Sequence, residues 1–175
     1  TAEAGAASQW PDPVAPSTGA AEGFKGIAGG NDNPALCIAE EDGWTQTRPL
    51  EERARRSDQV AGWLAAHGVR RGHPVLLMLG NQVELWDAML GVMKLGAVLM
   101  PTTTAAGTSD LVDRIARGGA RHVVTNPDQT EKFTDVPGSY GRISIGAAEG
   151  WADLRAAYEL SLIHLSEPPR PSSIS

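Results

Sequence analysis

The chain has 175 residues, enough for one domain around one core and able to bury roughly 70% of its unfolded surface if all of it folds. Hydrophobic residues at 41%, charged residues at 21%, 20 Gly and 12 Pro exclude a wholly disordered polyelectrolyte and a collagen-like repeat. A formal charge of -6, from 15 Lys+Arg against 21 Asp+Glu, offers no general attraction to phosphate backbones or acidic membranes, so nucleic acid is not an expected partner.

From Thr1 to about Asn33 the chain is mostly Ala, Gly, Pro, Ser and Thr without a sustained period of 2 or 3.6, and it reads as a flexible leader. It has neither the basic start and apolar centre of a secretory signal nor the Arg-rich amphipathic pattern of a presequence. A truncated start and a biological tail both fit it. At the other end, SLIHLSEPPR from Ser161 resembles a translated sequencing-adapter peptide. Residues 161–175 are therefore set aside as a non-native or disordered tail, the alternative being a Pro/Ser-rich linker. The ordered part is expected to run from Pro34 to Leu160.

Ala35 to Ala39, the turn Glu41-Asp42-Gly43 and Trp44 to Thr47 suggest a small edge hairpin. Thr47 stands where a helix N-cap belongs, Pro49 and Leu50 just inside, Glu51 and Glu52 in the first turn, and Gly68 where a left-handed C-terminal cap belongs. The helix Arg48 to His67 carries Leu50, Ala54, Ser57, Ala61 and Leu64 on one stripe. Arg53, Arg55 and Arg56 are expected mostly on its wet side, with Glu51–Arg55 and Glu52–Arg56 as i,i+4 pairs, which makes this a solvated face rather than an anion site. PVLLML, Pro74 to Leu79, is a continuous apolar run of strand length, as for a parallel strand covered on both faces. Gly80 turns the chain. Asn81 then caps, with Glu84 returning a capping-box bond, a helix that ends before Gly96. Its positions Val83, Trp86, Met89, Leu90, Met93 and Leu95 are expected to be well buried as core packing.

A second strand, Ala97 to Met100, stops at Pro101. Thr108 or Ser109 caps a third helix with Leu111, Val112, Ile115 and Ala116 on it, ended by Gly118 and Gly119 before strand Arg121 to Thr125. Arg142 to Ile145 adds a strand and Trp151 to Leu160 a closing helix. The alternation predicts an α/β fold, a three-layer sandwich with a mainly parallel sheet and right-handed crossovers. The longest apolar stretch, Leu85 to Met100, is broken by Asp87, Lys94 and two glycines and falls short of a membrane span.

The chemistry legible in this pattern is sparse. The turn Leu79-Gly80-Asn81 lacks the three spaced glycines of a dinucleotide fingerprint. Pro101-Thr102-Thr103-Thr104-Ala105-Ala106-Gly107-Thr108 is rich in hydroxyls and small residues, but it has no lysine for a phosphate and is no P-loop; it reads as an ordinary turn with capping hydroxyls, the alternative being a ligand contact. His67, His73, His122 and His164 have no spacing that suggests a metal or a relay and default to structural roles. Cys37, the one cysteine, forms no internal disulfide, suits a reducing cytoplasm and reads as a buried inert thiol.

Arg55 to Thr104 resembles the N-terminal region of AMP-forming acyl-CoA synthetases of the acyl-adenylate-forming superfamily, in wording closest to bacterial short- and medium-chain members. The landmarks are Gly68, Val69, Gly72 and Val75 for the family's Gly-Val-x-x-Gly-Asp-x-Val turn, then Lys94, Gly96 and Ala97, then Pro101. Asp110 to Ile115 and Gly119 to Val124 continue the likeness, which covers about Asn33 to Trp151. His73 departs from it, standing where relatives carry Asp. The resemblance implies the first part of a large N-terminal domain in a ligase that joins a carboxylic acid to AMP and passes the acyl group to CoA, with ATP, Mg2+ and CoA as its cofactors. The family's phosphate loop, later ATP motifs and C-terminal lysine have no counterpart here. The resemblance therefore assigns no catalytic residue and no metal ligand, and it implies an inactive scaffold. Ala105 aligns with a segment that approaches CoA in some relatives, which implies a backbone contact there. The alternative is a stand-alone α/β binding or interaction module without ligase activity.

Overall fold

A computed structural model describes residues 26–39 and 45–159. Most of the expected leader, the acidic turn Glu41-Asp42-Gly43 and the tail from Ser161 with His164 lie outside the described residues. Strands β1 (Pro34–Ala39) and β2 (Thr45–Pro49) pair antiparallel in a hairpin of their own. Helix α1 (Leu50–Ala66) starts directly after it. Pro49, not Thr47, is its N-cap, and no side chain caps it. The main chain does this work: Leu50 N–H donates to the Asn33 carbonyl at 3.1 Å and Glu51 N–H to that of Asn31 at 3.3 Å, so two first-turn donors are satisfied by the segment entering β1. The expected left-handed turn is present at Gly68, with φ +89, one residue past the C-cap His67.

Five parallel strands form the main sheet among the described residues, in the order β4-β3-β5-β6-β7: β3 (Pro74–Met78), β4 (Val98–Pro101), β5 (His122–Thr125), β6 (Gly141–Ser144) and β7 (Ala152–Asp153). The α/β fold with a mainly parallel sheet is therefore as the alternation predicts. On β3 the pleat splits the apolar run in two. Val75 and Leu77, with Val124 and Ile143, face α1 and α2 (Val83–Lys94), whereas Leu76 and Met78, with Val123, face α3 (Thr108–Gly118) and Phe133. The sequence Trp151 to Leu160 is not a closing α-helix. It forms the short β7 and a 3-10 turn, Leu154–Glu159, that buries Leu154 and Ala157 against α1.

The two helices on one face meet through polar groups that the period analysis assigned to solvent. Asp87 is fully buried. Arg56 Nε donates to its Oδ2 at 2.8 Å, Tyr158 Oη donates to the same oxygen at 3.0 Å, and Arg53 Nη2 lies 3.3 Å from Oδ1. The Arg56 guanidinium also stacks 3.8 Å from the Tyr158 ring centroid. Arg53, 3% exposed, and Arg56 thus leave the expected wet face because a buried carboxylate on α2 draws them inward. Burial pulls the Arg53 guanidinium below its ordinary pKa. At Arg56 the same burial penalty is outweighed by Asp87, and at Tyr158 burial and Asp87 together push the phenol well up. At the other end of α2, Lys94 Nζ donates to Ser57 Oγ at 2.7 Å, Asp58 Oδ1 at 2.8 Å and the Ala54 carbonyl at 3.1 Å.

Small residues permit this approach. Gly91 sits so near α1 that a Cβ there would lie 2.7 Å from Val60 Cγ1 and 3.2 Å from the Ala61 nitrogen. The inward face of α2 is therefore Val83, Asp87, Ala88, Gly91 and Val92. The large side chains are displaced, so Trp86 at 39% exposure and Met93 at 44% are not the core positions expected of them. Neither Asn81 nor a capping box opens α2. Its N-cap is Gln82, whose amide points elsewhere. At α3 the N-cap is Gly107, not Thr108 or Ser109, and Asp110 Oδ2 accepts from the Gly107 N–H at 3.4 Å.

Asp87→Asn strands the buried Arg53 guanidinium and the half-buried one of Arg56 and should cost about 3–5 kcal/mol, read as a lower urea midpoint at unchanged slope. Gly91→Val should cost about 1–3 kcal/mol by overpacking against Val60, despite removing a helical glycine.

Candidate functional site

In a parallel sheet with helices on both faces, ligands bind outside the carboxyl ends of the strands where the winding reverses. Here the chain passes from β3 to β4 on one side and then crosses to β5 on the other, with α2 on one face and α3 on the opposite face. The reversal therefore lies between β3 and β5. Gln82, after β3, and Asn126, after β5, meet there. Gln82 Nε2 donates to Asn126 Oδ1 at 3.1 Å and Asn126 Nδ2 donates to Gln82 Oε1 at 2.8 Å. Both amides gain a partner, and the crevice is bridged by side chains 44 residues apart.

Beside it runs the hydroxyl-rich loop after β4. Thr102 is buried and its N–H donates to the Leu77 carbonyl at 2.8 Å, which extends the ladder one residue past Pro101. Ala105 is exposed, and its N–H is committed to Thr103 Oγ1 at 3.2 Å. The loop has no lysine of its own, but the fold brings one. Lys132, in the 3-10 turn Pro127–Phe133 that follows β5, donates from Nζ to the Thr104 carbonyl at 2.6 Å, and its carbonyl accepts from Thr108 Oγ1 at 3.3 Å. Sequence reading passed over Lys132 because it lies 28 residues from Thr104, outside any local motif. Next along the edge, Asp153 Oδ1 accepts from the N–H groups of Gly146 and Arg155, each at 2.9 Å, and holds the turn after β6.

The remaining candidates divide. His67, His73 and His122 come together at the opposite, amino-terminal end of the sheet, although nothing in their spacing predicts it. The His73 and His122 rings stack at 5.8 Å, and His122 Nε2 lies 3.3 Å from the His67 carbonyl oxygen. His67 stacks on Trp63 at 3.5 Å between ring centroids. Cys37 is exposed rather than buried: the hairpin is a two-stranded sheet with only part of one face covered, and Ile38 takes the inward position. Among the described residues no group of three His, Cys, Asp or Glu side chains is placed to hold a metal ion. An open concavity of about 510 Å³ lies at the start of α1, lined by Asp32, Glu51, Glu52 and Asp58 with Arg55, away from the hydroxyl-rich loop. No described helix is long and apolar enough to cross a membrane.

With this geometry in view, the profile of AMP-binding enzymes matches residues 29–162. The chain belongs to that family. The AMP-binding likeness extends to a crystal structure of an acyl-CoA synthetase from Brucella canis, with a TM-score of 0.73 at 28% identity over 80% of this chain and 27% of that one. Among curated proteins, the chain is 31% identical over 102 residues to 4-coumarate–CoA ligase 5 of Oryza sativa subsp. japonica, covering 58% of this chain and 18% of that protein. It is 30% identical over 114 residues to the mitochondrial acyl-coenzyme A synthetase ACSM2 of Rattus norvegicus, covering 61% and 20%. The chain thus spans about a quarter or less of each.

For a nucleotide or CoA the described residues offer loop backbone and two cations, Lys132, already committed to Thr104, and Arg155, beside Glu84. For magnesium they offer no ligand set. Neither nucleotide nor metal fits well enough for a reaction step to be assigned to these side chains. What the side chains do here is tether the hydroxyl-bearing loop to the 3-10 turn after β5 at the switch-point edge. Lys132→Met removes a charge-assisted bond to Thr104, and amide exchange at Ala105 and Ala106 should rise about tenfold while the β3 amides stay protected.

Proposed function

We propose that this chain is the opening scaffold portion of an AMP-forming acid–thiol ligase. In that reaction a carboxylate oxygen attacks the α-phosphate of ATP, pyrophosphate leaves, and an acyl-adenylate forms. The CoA thiol then displaces AMP at the acyl carbon and leaves a thioester. The one observation that carries the reading is the match to an acyl-CoA synthetase in fold and sequence together over 80% of the chain. Residues 34–160 are read as the first part of the N-terminal adenylating domain, 1–33 as a leader and 161–175 as a non-native tail.

Magnesium in such an enzyme screens the triphosphate, and cationic groups offset charge developing in the transition state. This chain's share is placement. Thr102 to Gly107, held by Lys132, forms a wall of the CoA side, and exposed Ala105 faces the ligand through its backbone. With its N–H turned to Thr103, the contact falls to the Ala105 carbonyl. A carboxylic acid, ATP and CoA are the partners of the whole enzyme. The cytoplasm is the proposed compartment, in keeping with an exposed thiol, Cys37, that needs reducing surroundings.

The test is pyrophosphate exchange and thioester formation over a panel of carboxylic acids. The uninterrupted reading frame that contains this sequence should form acyl-CoA with at least one acid, and the 175-residue chain alone should form none. Single-turnover acyl-adenylate formation by the isolated chain would overturn the scaffold assignment.

A further inference from the structure

Three histidines at the foot of the sheet take no part in the reaction proposed above, yet they join separate segments. His67 ends α1, His73 precedes β3 and His122 opens β5. We propose that His122 is an acid-sensitive latch, which holds the carboxyl-terminal end of α1 on the sheet while neutral and lets it go when protonated.

Hydrogen-bond chemistry carries the argument. A backbone carbonyl only accepts, so the contact between His122 Nε2 and the His67 oxygen at 3.3 Å places the ring proton on Nε2. Nδ1 is then a bare acceptor. It is buried and has no hydrogen-bond partner among the described residues. In the neutral ring this leaves one lone pair unused. Protonation would turn Nδ1 into a cationic donor in the same dry place with nothing to receive it, which is the far more costly case.

The surroundings add to that cost. From the turn between α1 and β3, the His73 ring stacks beside it and the Arg70 charge acts on it; so does the charge of Arg121, the residue before β5. On the β6 side stands Gly141, so close that a Cβ there would lie 2.5 Å from His122 Cδ2, and this contact brings backbone instead of an acid. On the α1 side Gly68 leaves room for the ring, with its would-be Cβ 3.7 Å from Nε2. His122 is 7% exposed, so the main cost of charging the ring is its lost hydration. Burial holds the imidazole below its ordinary pKa, the bond to His67 opposes that, and His73, Arg121 and Arg70 reinforce it.

The direction of the pH effect follows. An unfolded His takes up its proton near pH 6.5, whereas the folded ring resists until lower pH. Above about pH 6.5 the latch contributes in full; as pH falls through that value toward the lower folded value, the unfolded chain binds the extra proton and stability is lost. The loosening should start where the latch holds, at the Gly68 and Val69 amides that donate to Ala65 and Leu64.

The test uses the 175-residue chain. Urea unfolding at pH 7.5 and 5.5 should show a loss of folding equilibrium constant that shrinks in His122→Gln, whose amide still donates to the His67 carbonyl but does not titrate. The shrinkage should be several-fold, approaching about tenfold if the folded ring stays neutral at the lower pH. Independently, the ring resonances of His122 in the unmodified chain should titrate below 6.5, with no variant needed if His122→Gln does not fold. A His122 ring that titrates at 6.5 or above, or the same pH dependence in His122→Gln as in the parent, would overturn the proposal.

Discussion

Asp87 is the constraint on which the arrangement of this chain rests. One fully buried carboxylate receives three groups from two parts of the sequence: Arg53 and Arg56 of α1, and Tyr158 of the last 3-10 turn. A buried ion cluster of this kind adds little net stability, because desolvation offsets the attraction. Its effect is on specificity. A helix with Asp87 facing inward has one rotation about its axis that pairs the charge, and every other rotation strands it. That choice brings Gly91 against Val60 and turns Trp86 and Met93 outward. Lys94, seven residues on, then reaches Ser57 and Asp58 at the other end of the contact.

With that helix pair set against one face and α3 against the other, the strand order reverses between β3 and β5, and the loops after them converge. The Gln82–Asn126 amide pair and the Lys132 bond to Thr104 are consequences of this convergence. Both join residues far apart in sequence, and both fix backbone at the edge where α/β proteins bind ligands. The role proposed for the chain is therefore placement.

The foot of the sheet behaves differently. There the approach of Gly141 and the end of α1 buries His122, and that burial holds its imidazole below the ordinary pKa. The two ends of one sheet thus divide between a braced loop region and a titratable contact.

How much of this was legible in the chain itself differs by kind of feature. Local signals carried the elements: PVLLML as a doubly covered strand, Gly68 as a left-handed stop, Gly118 and Gly119 as the end of α3, and the β-α alternation as a parallel sheet, because strand pleat and glycine's access to positive φ act over a few residues. The landmarks from Gly68 to Pro101 also carried the family. Hidden from that reading were the partners of charged and capping groups. Arg53 and Arg56 look solvated until Asp87 is seen 31 and more residues away, Thr47 looks like a cap until the Asn31 and Asn33 carbonyls take the first-turn amides, and Lys132 and the three histidines find their neighbours only across the sheet. A helix face is half-defined by period, but a buried charge is placed by the group that pairs it, and that group is chosen by the packing of whole elements.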